Sequence, residues 1–147
     1  MDSGFAIRIP FVDLLGFHLD LFEGGHSQIS FLPKLEHFNS FQVAHGGAVM
    51  TLLDVSMATA ARSIQQDMGV VTIEMKTSFM RPCRGQLTSK GHLMHRTQSM
   101  AFVEATIFDA EGLACAHATG TFKYVKRGDR NPSATPGDPL SEIISTD

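Results

Sequence analysis

The spacing of apolar residues changes character near the middle of the chain. From Gly46 to about Arg62, Val49, Leu52, Leu53, Ser56, Met57 and Ala60 recur at helical spacing and share one face. Thr51, Val55 and Ala58 occupy the opposite face, so this predicted helix is apolar or small nearly all round, the pattern of a buried element. After Gly69 the period becomes two. Val71, Ile73, Met75, Thr77 and Phe79 alternate with Val70, Thr72, Glu74, Lys76 and Ser78, and Pro82 stops the run. Residues 86–96 read as a second, more polar strand. Residues 100–109 read as a third, with Ala101, Val103, Ala105 and Ile107 on one face and Phe102, Glu104, Thr106 and Phe108 on the other. Asp109-Ala110-Glu111-Gly112 is a hairpin turn leading into a fourth strand, 113–125. Its Ala114, Ala116, Ala118 and Gly120 offer a face of small side chains against which a helix lies close. Upstream, 17–23 and 26–32 flank Gly24-Gly25 and read as one more hairpin. Two strands, a buried helix and four further strands on short connections predict an α+β fold, an antiparallel sheet wrapped around one long central helix.

Composition narrows the class. At 147 residues the chain has room for one core. A net charge of -3 argues against a nucleic-acid binder, which normally carries a basic excess. Residues 127–147 contain three prolines and no aromatic residue, too little apolar surface to offset their ordering entropy. They are expected to form a flexible tail, with Leu140, Ile143 and Ile144 its only docking candidates, and the folded domain is expected to span 1–126. Cys83 and Cys115 are too few for a disulfide scaffold and lack metal spacing, so both read as reduced thiols. No apolar run approaches the roughly 20 residues that cross a bilayer. Asp2, Arg8, Asp13, His18 and Asp20 interrupt the apolar residues at the N-terminus, which leaves no signal peptide and makes the cytoplasm the expected location, away from membranes.

Two features carry chemistry. Asp54 is the only charged residue on the buried helix before Arg62. Either it is structural, paired with a neighbouring hydroxyl or with Arg62, or burial raises its pKa and suits it to general-base work. His45-Gly46-Gly47 stands at the start of that helix, where the first N–H groups lack intrahelical partners and the dipole is positive. That end suits a developing oxyanion, or is simply a glycine turn capped by His45. Gly46 and Asp54 are separated by eight residues, about 12 Å of helix rise. If both act on one carbonyl carbon, Asp54 must come from a second chain, which predicts a homodimer with sites across its interface. No metal site is expected: His92 and His95, three residues apart, are predicted on opposite strand faces, and His18, His26, His37, His45 and His117 follow no ligand spacing. No Gly-rich phosphate loop and no nucleophile elbow is present. Arg81, Arg84, Lys90 and Arg96 cluster around 79–96, as phosphate contacts or as ordinary solvated surface.

The stretch Asn39-Ser40-Phe41-Gln42-Val43-Ala44-His45-Gly46-Gly47, with Asp54 beyond it, resembles the hotdog-fold acyl-CoA thioesterases, most of all the PaaI-type (phenylacetic acid degradation) branch. The resemblance runs from about Leu15 to Lys126. It includes Phe79-Met80-Arg81-Pro82 with Gly85, and Asp109-x-x-Gly112 leading into Gly120-Thr121-Phe122. It implies a hotdog fold, homodimers with a continuous sheet and dimers of dimers. The implied reaction is hydrolysis of an acyl-CoA thioester, with coenzyme A as part of the substrate and no separate cofactor. By the same resemblance the Gly46 amide polarises the thioester carbonyl, and Asp54 of the partner subunit activates water or attacks directly. Asn39 orients the thioester or the water, His45 supports the loop and the start of the helix, and Thr72 holds the nucleophilic water. Phe79, Met80, Arg81, Pro82 and Arg84 match the turn that contacts the coenzyme A phosphates. One position departs: the family often has glycine where Gln42 stands, so the loop before His45 is expected to differ in shape, and Phe38 and Phe41 there are either pocket or core residues. A second class of function on the same fold is a non-catalytic acyl-CoA-binding or sensing module. Hydratase chemistry is a third, against which His45 and Asp54 stand about two and a half turns apart. Aryl-acetyl, medium-chain and long-chain acyl groups are all compatible with these residues, as is acyl carrier protein in place of coenzyme A.

Overall fold

The computed structural model describes residues 2–127, so the expected tail from residue 128 onward lies outside the described residues. Along the chain come α1 (Pro10–Leu15), β1 (His18–Glu23), β2 (His26–Phe31), a 3-10 turn (Leu35–His37), α2 (Gly46–Arg62), β3 (Met68–Phe79), β4 (Leu87–Arg96), β5 (Met100–Phe108) and β6 (Ala114–Lys126). The six strands pair antiparallel in the order β1-β2-β4-β5-β6-β3. Helix α2 lies against one face of the sheet and touches every strand. This is the expected α+β arrangement.

Small residues set how closely helix and sheet approach. A Cβ on Gly91 of β4 would run into the Ser27 hydroxyl and the Ser56 carbonyl. Ser27 Oγ donates to that carbonyl at 2.6 Å, and the Ser56 and Ser89 hydroxyls lie 2.7 Å apart. Ala116, Ala118 and Gly120 face inward as expected, with Met57 filling the space that Gly120 leaves. Ala114 departs from that face. It pairs with Phe108 beyond a register shift, on the solvent side of the bulge that Cys115 occupies.

Two further bulges change the expected strand phases. The β3–β6 pairing slips between Thr72 and Glu74, making Ile73 an extra residue. Thr72 lies opposite inward-facing Phe122, whereas Met75 and Thr77 lie opposite inward-facing Gly120 and Ala118. Thr72 therefore shares the helix-facing side with Met75, Thr77 and Phe79, which strict alternation had placed on the other side. In β4, Met94 is the extra residue, and His92 and His95 pair with Glu104 and Phe102 on a common outer face. The expectation of opposite faces for these histidines is corrected by that bulge. Glu104 lies between His92 and His117, at 3.6 and 3.4 Å, and His26 stacks on His92.

Helix α1 is an element that the apolar spacing did not predict. Pro10 fits its first turn, Gly16 closes it at φ +78°, and Val12 and Leu15 enter the core. β3 is an edge strand of 12 residues whose Ile73 is 54% exposed. Among the described residues no helix is long and apolar enough to cross a membrane.

Candidate active site

The start of α2 is built almost entirely from backbone groups. His45 is the N-cap, and its Nδ1 accepts the Gly47 N–H at 2.9 Å, which leaves the ring proton on Nε2. The N–H groups of Ala48 and Val49 donate to the His45 carbonyl at 2.9 and 3.1 Å. The Gly46 N–H has no acceptor among the described residues. Two carbonyls hold this end in place: His45 N–H donates to His37 at 2.8 Å, and Ala44 N–H to Cys83 at 3.1 Å.

The preceding loop is closed by Asn39. Its Oδ1 accepts from the Phe41 and Val43 amides at 2.9 and 3.3 Å, and its own N–H donates to the Val43 carbonyl at 2.9 Å. Within that ring Gln42 sits at φ +60°, the left-handed region that a glycine occupies without strain. The loop thus takes a glycine-like backbone without the glycine, and the expected change of shape is a strained side-chain-bearing residue.

Gly46 opens on a cavity of about 590 Å3. Asn39, Phe41 and Val49 line it, together with all five residues expected to contact coenzyme A (Phe79, Met80, Arg81, Pro82 and Arg84). The Met80 and Arg81 amides donate to the Cys115 carbonyl at 2.9 and 3.1 Å, which holds this turn against β6. Phe41 is a lining residue; Phe38 is not part of this cavity. Of the four basic residues clustered in sequence, only Arg81 and Arg84 reach it. Lys90 lies over the Phe108 ring, and Arg96 stacks on Tyr124 and bonds Gln65 at 2.7 Å.

Asp54 opens on a different cavity, about 410 Å3, with Ile9, Phe11, Met50 and Met75 among its walls. Thr72 Oγ1 donates to Asp54 Oδ1 at 2.6 Å, a contact made possible by the Ile73 bulge. Burial raises the Asp54 pKa above the ordinary carboxylate range, and the Thr72 hydrogen bond acts in the opposite sense. The neighbouring hydroxyl is thus the partner that the sequence offered; Arg62 instead donates to the Met68 carbonyl at 3.2 Å. In one chain the structure brings Gly46, Asn39 and the 79–84 turn together, pairs Asp54 with Thr72, and keeps the two groups in separate cavities.

Sequence spacing did not single out His37, Cys83 and Cys115 as supports, because each acts through its carbonyl. It also passed over Ile9 and Phe11 beside Asp54, where Pro10 and Gly16 were the available signals of a helix. Cys83 and Cys115, far apart in sequence, are both buried and unbridged with sulfurs 3.3 Å apart. Their hydrogen bond raises the Cys83 thiol, with burial adding to the effect, and lowers Cys115. No group of three metal-ligating side chains occurs among the described residues.

The family model of the thioesterase superfamily matches residues 41–116. A Saccharolobus solfataricus protein described only as an esterase is 30% identical over 106 residues, 71% of this chain and 75% of its own length. The medium/long-chain acyl-CoA thioesterase YigI of Escherichia coli is similar at 27% identity, over 80% of this chain and 87% of that one. A solved structure of a conserved Pseudomonas aeruginosa protein superposes with a TM-score of 0.76 at 25% identity, covering 80% of this chain and 95% of the other. The PaaI protein of the E. coli phenylacetic acid degradation operon superposes at 0.75 with 20% identity, covering 82% and 86%, a likeness of fold.

Proposed function

The chain belongs to the thioesterase superfamily, has its hotdog fold and is a thioester hydrolase, and from that premise we propose that it cleaves acyl-CoA to a free carboxylic acid and coenzyme A. The thioester oxygen would accept the Gly46 N–H at the positive end of α2, where a single oxyanion donor is worth roughly 3 kcal/mol. Asp54 of the partner subunit would take a proton from the attacking water, or attack as nucleophile to give an anhydride that water then opens. In either course the C–S bond breaks and the coenzyme A thiolate leaves to be protonated by solvent. Coenzyme A enters as part of the substrate, and the steps use neither a metal nor a redox group.

The observation that carries this reading is the Gly46 N–H. Among the described residues it is the one amide of the first helical turn without a protein acceptor, and Gly46 lines the same cavity as Arg81 and Arg84. A second chain is supported by the separate cavities of Gly46 and Asp54 and by the exposed edge of β3. The apolar walls beside Asp54 suit an apolar acyl group, in keeping with the name of the E. coli relative. Asn39 and His45 act here through the loop and helix start that they hold, and Thr72 through Asp54.

Thiol release measured across a panel of acyl-CoAs tests reaction and substrate together. Asp54→Ala is expected to lower kcat at least about 100-fold with the circular dichroism spectrum and acyl-CoA affinity kept. Near-normal turnover in that variant removes Asp54 from the chemistry. Wild-type protein that binds acyl-CoA yet releases no thiol is instead the sensing module, and a fully active monomer overturns the shared site.

A further inference from the structure

We propose that Cys83 and Cys115 are a modification site, closing reversibly into an intrachain disulfide in the wall of the substrate cavity. The two residues come from different elements, the 79–84 turn and the bulge at the start of β6, and meet with their sulfurs 3.3 Å apart. A disulfide bond is about 2.05 Å long, so closure takes a shift of only about 1.2 Å, shared between two side chains. Burial protects both sulfurs from thiols on other proteins, since Cys83 is 4% exposed and Cys115 is fully enclosed. Cys83 nevertheless lines the large cavity, which admits a small oxidant, while the sulfur nearest to it is that of Cys115. The pair is not half of a metal centre among the described residues, because no third ligating side chain joins it.

A peroxide supplies the oxidising equivalents. When the pair loses its first proton, the charge rests on the Cys115 sulfur, whose thiol is lowered, and Cys83 passes its own proton along the hydrogen bond to that sulfur as it reacts. The Cys83 sulfur attacks one peroxide oxygen and the O–O bond breaks. The departing hydroxide takes up the proton that the pair first released and leaves as water, and Cys83 becomes a sulfenic acid. The Cys115 sulfur then displaces that hydroxyl: the S–O bond breaks, the S–S bond forms, and the Cys115 proton leaves with the hydroxyl as a second water. Two thiols lose two electrons and two protons, and one peroxide becomes two waters.

The backbone carries the consequence to the substrate. The Cys115 carbonyl holds the amides of Met80 and Arg81, and the Cys83 carbonyl holds Ala44, two residues before Gly46. Drawing Cys83 toward β6 loads the Ala44 hydrogen bond and shifts the arginine-bearing turn relative to the helix start. Oxidation is therefore expected to weaken substrate binding more than turnover. That coupling rests on the acyl-CoA reading above, whereas the cross-link itself does not.

The full chain, treated under native conditions with hydrogen peroxide, alkylated and digested, is expected to yield one peptide pair joined through Cys83 and Cys115. The linked pair has lost two hydrogens, and dithiothreitol restores it to free thiols. Cys83→Ser and Cys115→Ser should each abolish the linked pair. Recovery of both cysteines in alkylated form after unfolding, oxygen adducts without a cross-link, or links between chains would each overturn the proposal. Oxidised wild type should show a KM for acyl-CoA raised at least about threefold and restored by dithiothreitol, with no peroxide-dependent rise in Cys115→Ser. An unchanged KM in the cross-linked protein overturns the coupling. Cross-linking in protein that hydrolyses no acyl-CoA contradicts the functional reading and leaves the disulfide standing.

Discussion

The two ends of the proposed chemistry, Gly46 and Asp54, ride on one helix and are built by opposite means. The Gly46 end is largely backbone work: its amide and the carbonyls of His37 and Cys83 that hold the helix start are main-chain groups, and only Asn39 and His45 add side chains, one closing the loop and one capping the helix. The Asp54 end depends on a single carboxylate, one hydroxyl from a bulged strand and a pocket of apolar side chains. A site made of backbone tolerates substitution and fails through distortion of the loop. A site made of one carboxylate fails through the loss of that group.

That contrast orders the effects of mutation. After the loss of turnover expected on replacing Asp54, the next largest effect belongs to the arginines facing Gly46. Arg81→Ala with Arg84→Ala is expected to raise KM for acyl-CoA roughly tenfold and leave kcat within about twofold. A short acyl-pantetheine thioester, which lacks the nucleotide phosphates, should not register the change in steady-state assays. An equal rise for both substrates would assign those arginines to the fold of the turn. A smaller effect falls on the acid side of the pH profile. Asp54 must be ionised to act, so activity drops as pH falls through its pKa, which burial raises and Thr72 holds down. Thr72→Val removes the lowering influence and should move the acid limb of kcat/KM to higher pH; an unmoved limb would separate the pair from the reaction. The smallest effect is conformational. Gln42→Gly relieves a left-handed side-chain-bearing residue and is expected to add about 0.5–1 kcal/mol of stability, measured by urea unfolding. A loss of stability there would show that the loop stores no strain.

The boundaries of α2 were legible because seventeen residues repeat one period without interruption. The strands were legible in place and less so in phase. A bulge inserts one residue and inverts every later side chain, and neither Ile73 nor Met94 differs in composition from its neighbours. Strict alternation accordingly separated Thr72 from Met75, Thr77 and Phe79 and set His92 against His95. Gly46, Asn39 and the 79–84 turn were legible as a group because residue identity matters at each. Their supports were not, since a carbonyl belongs to any amino acid. The meeting of Cys83 with Cys115 depends on β6 returning beside the turn, a matter of topology that cysteine spacing does not contain.

The hydroxyl of Ser27 bonded to the carbonyl of Ser56, beside a Gly91 that leaves no space for a methyl group, works as a peg in a slot. The helix can neither slide along its axis nor roll without pulling that peg. The interval between its glycine tip and its acid is therefore tied to the sheet as on a ruler with one fixed mark. Two such rulers laid side by side would measure out a substrate's reactive carbon without needing to bend.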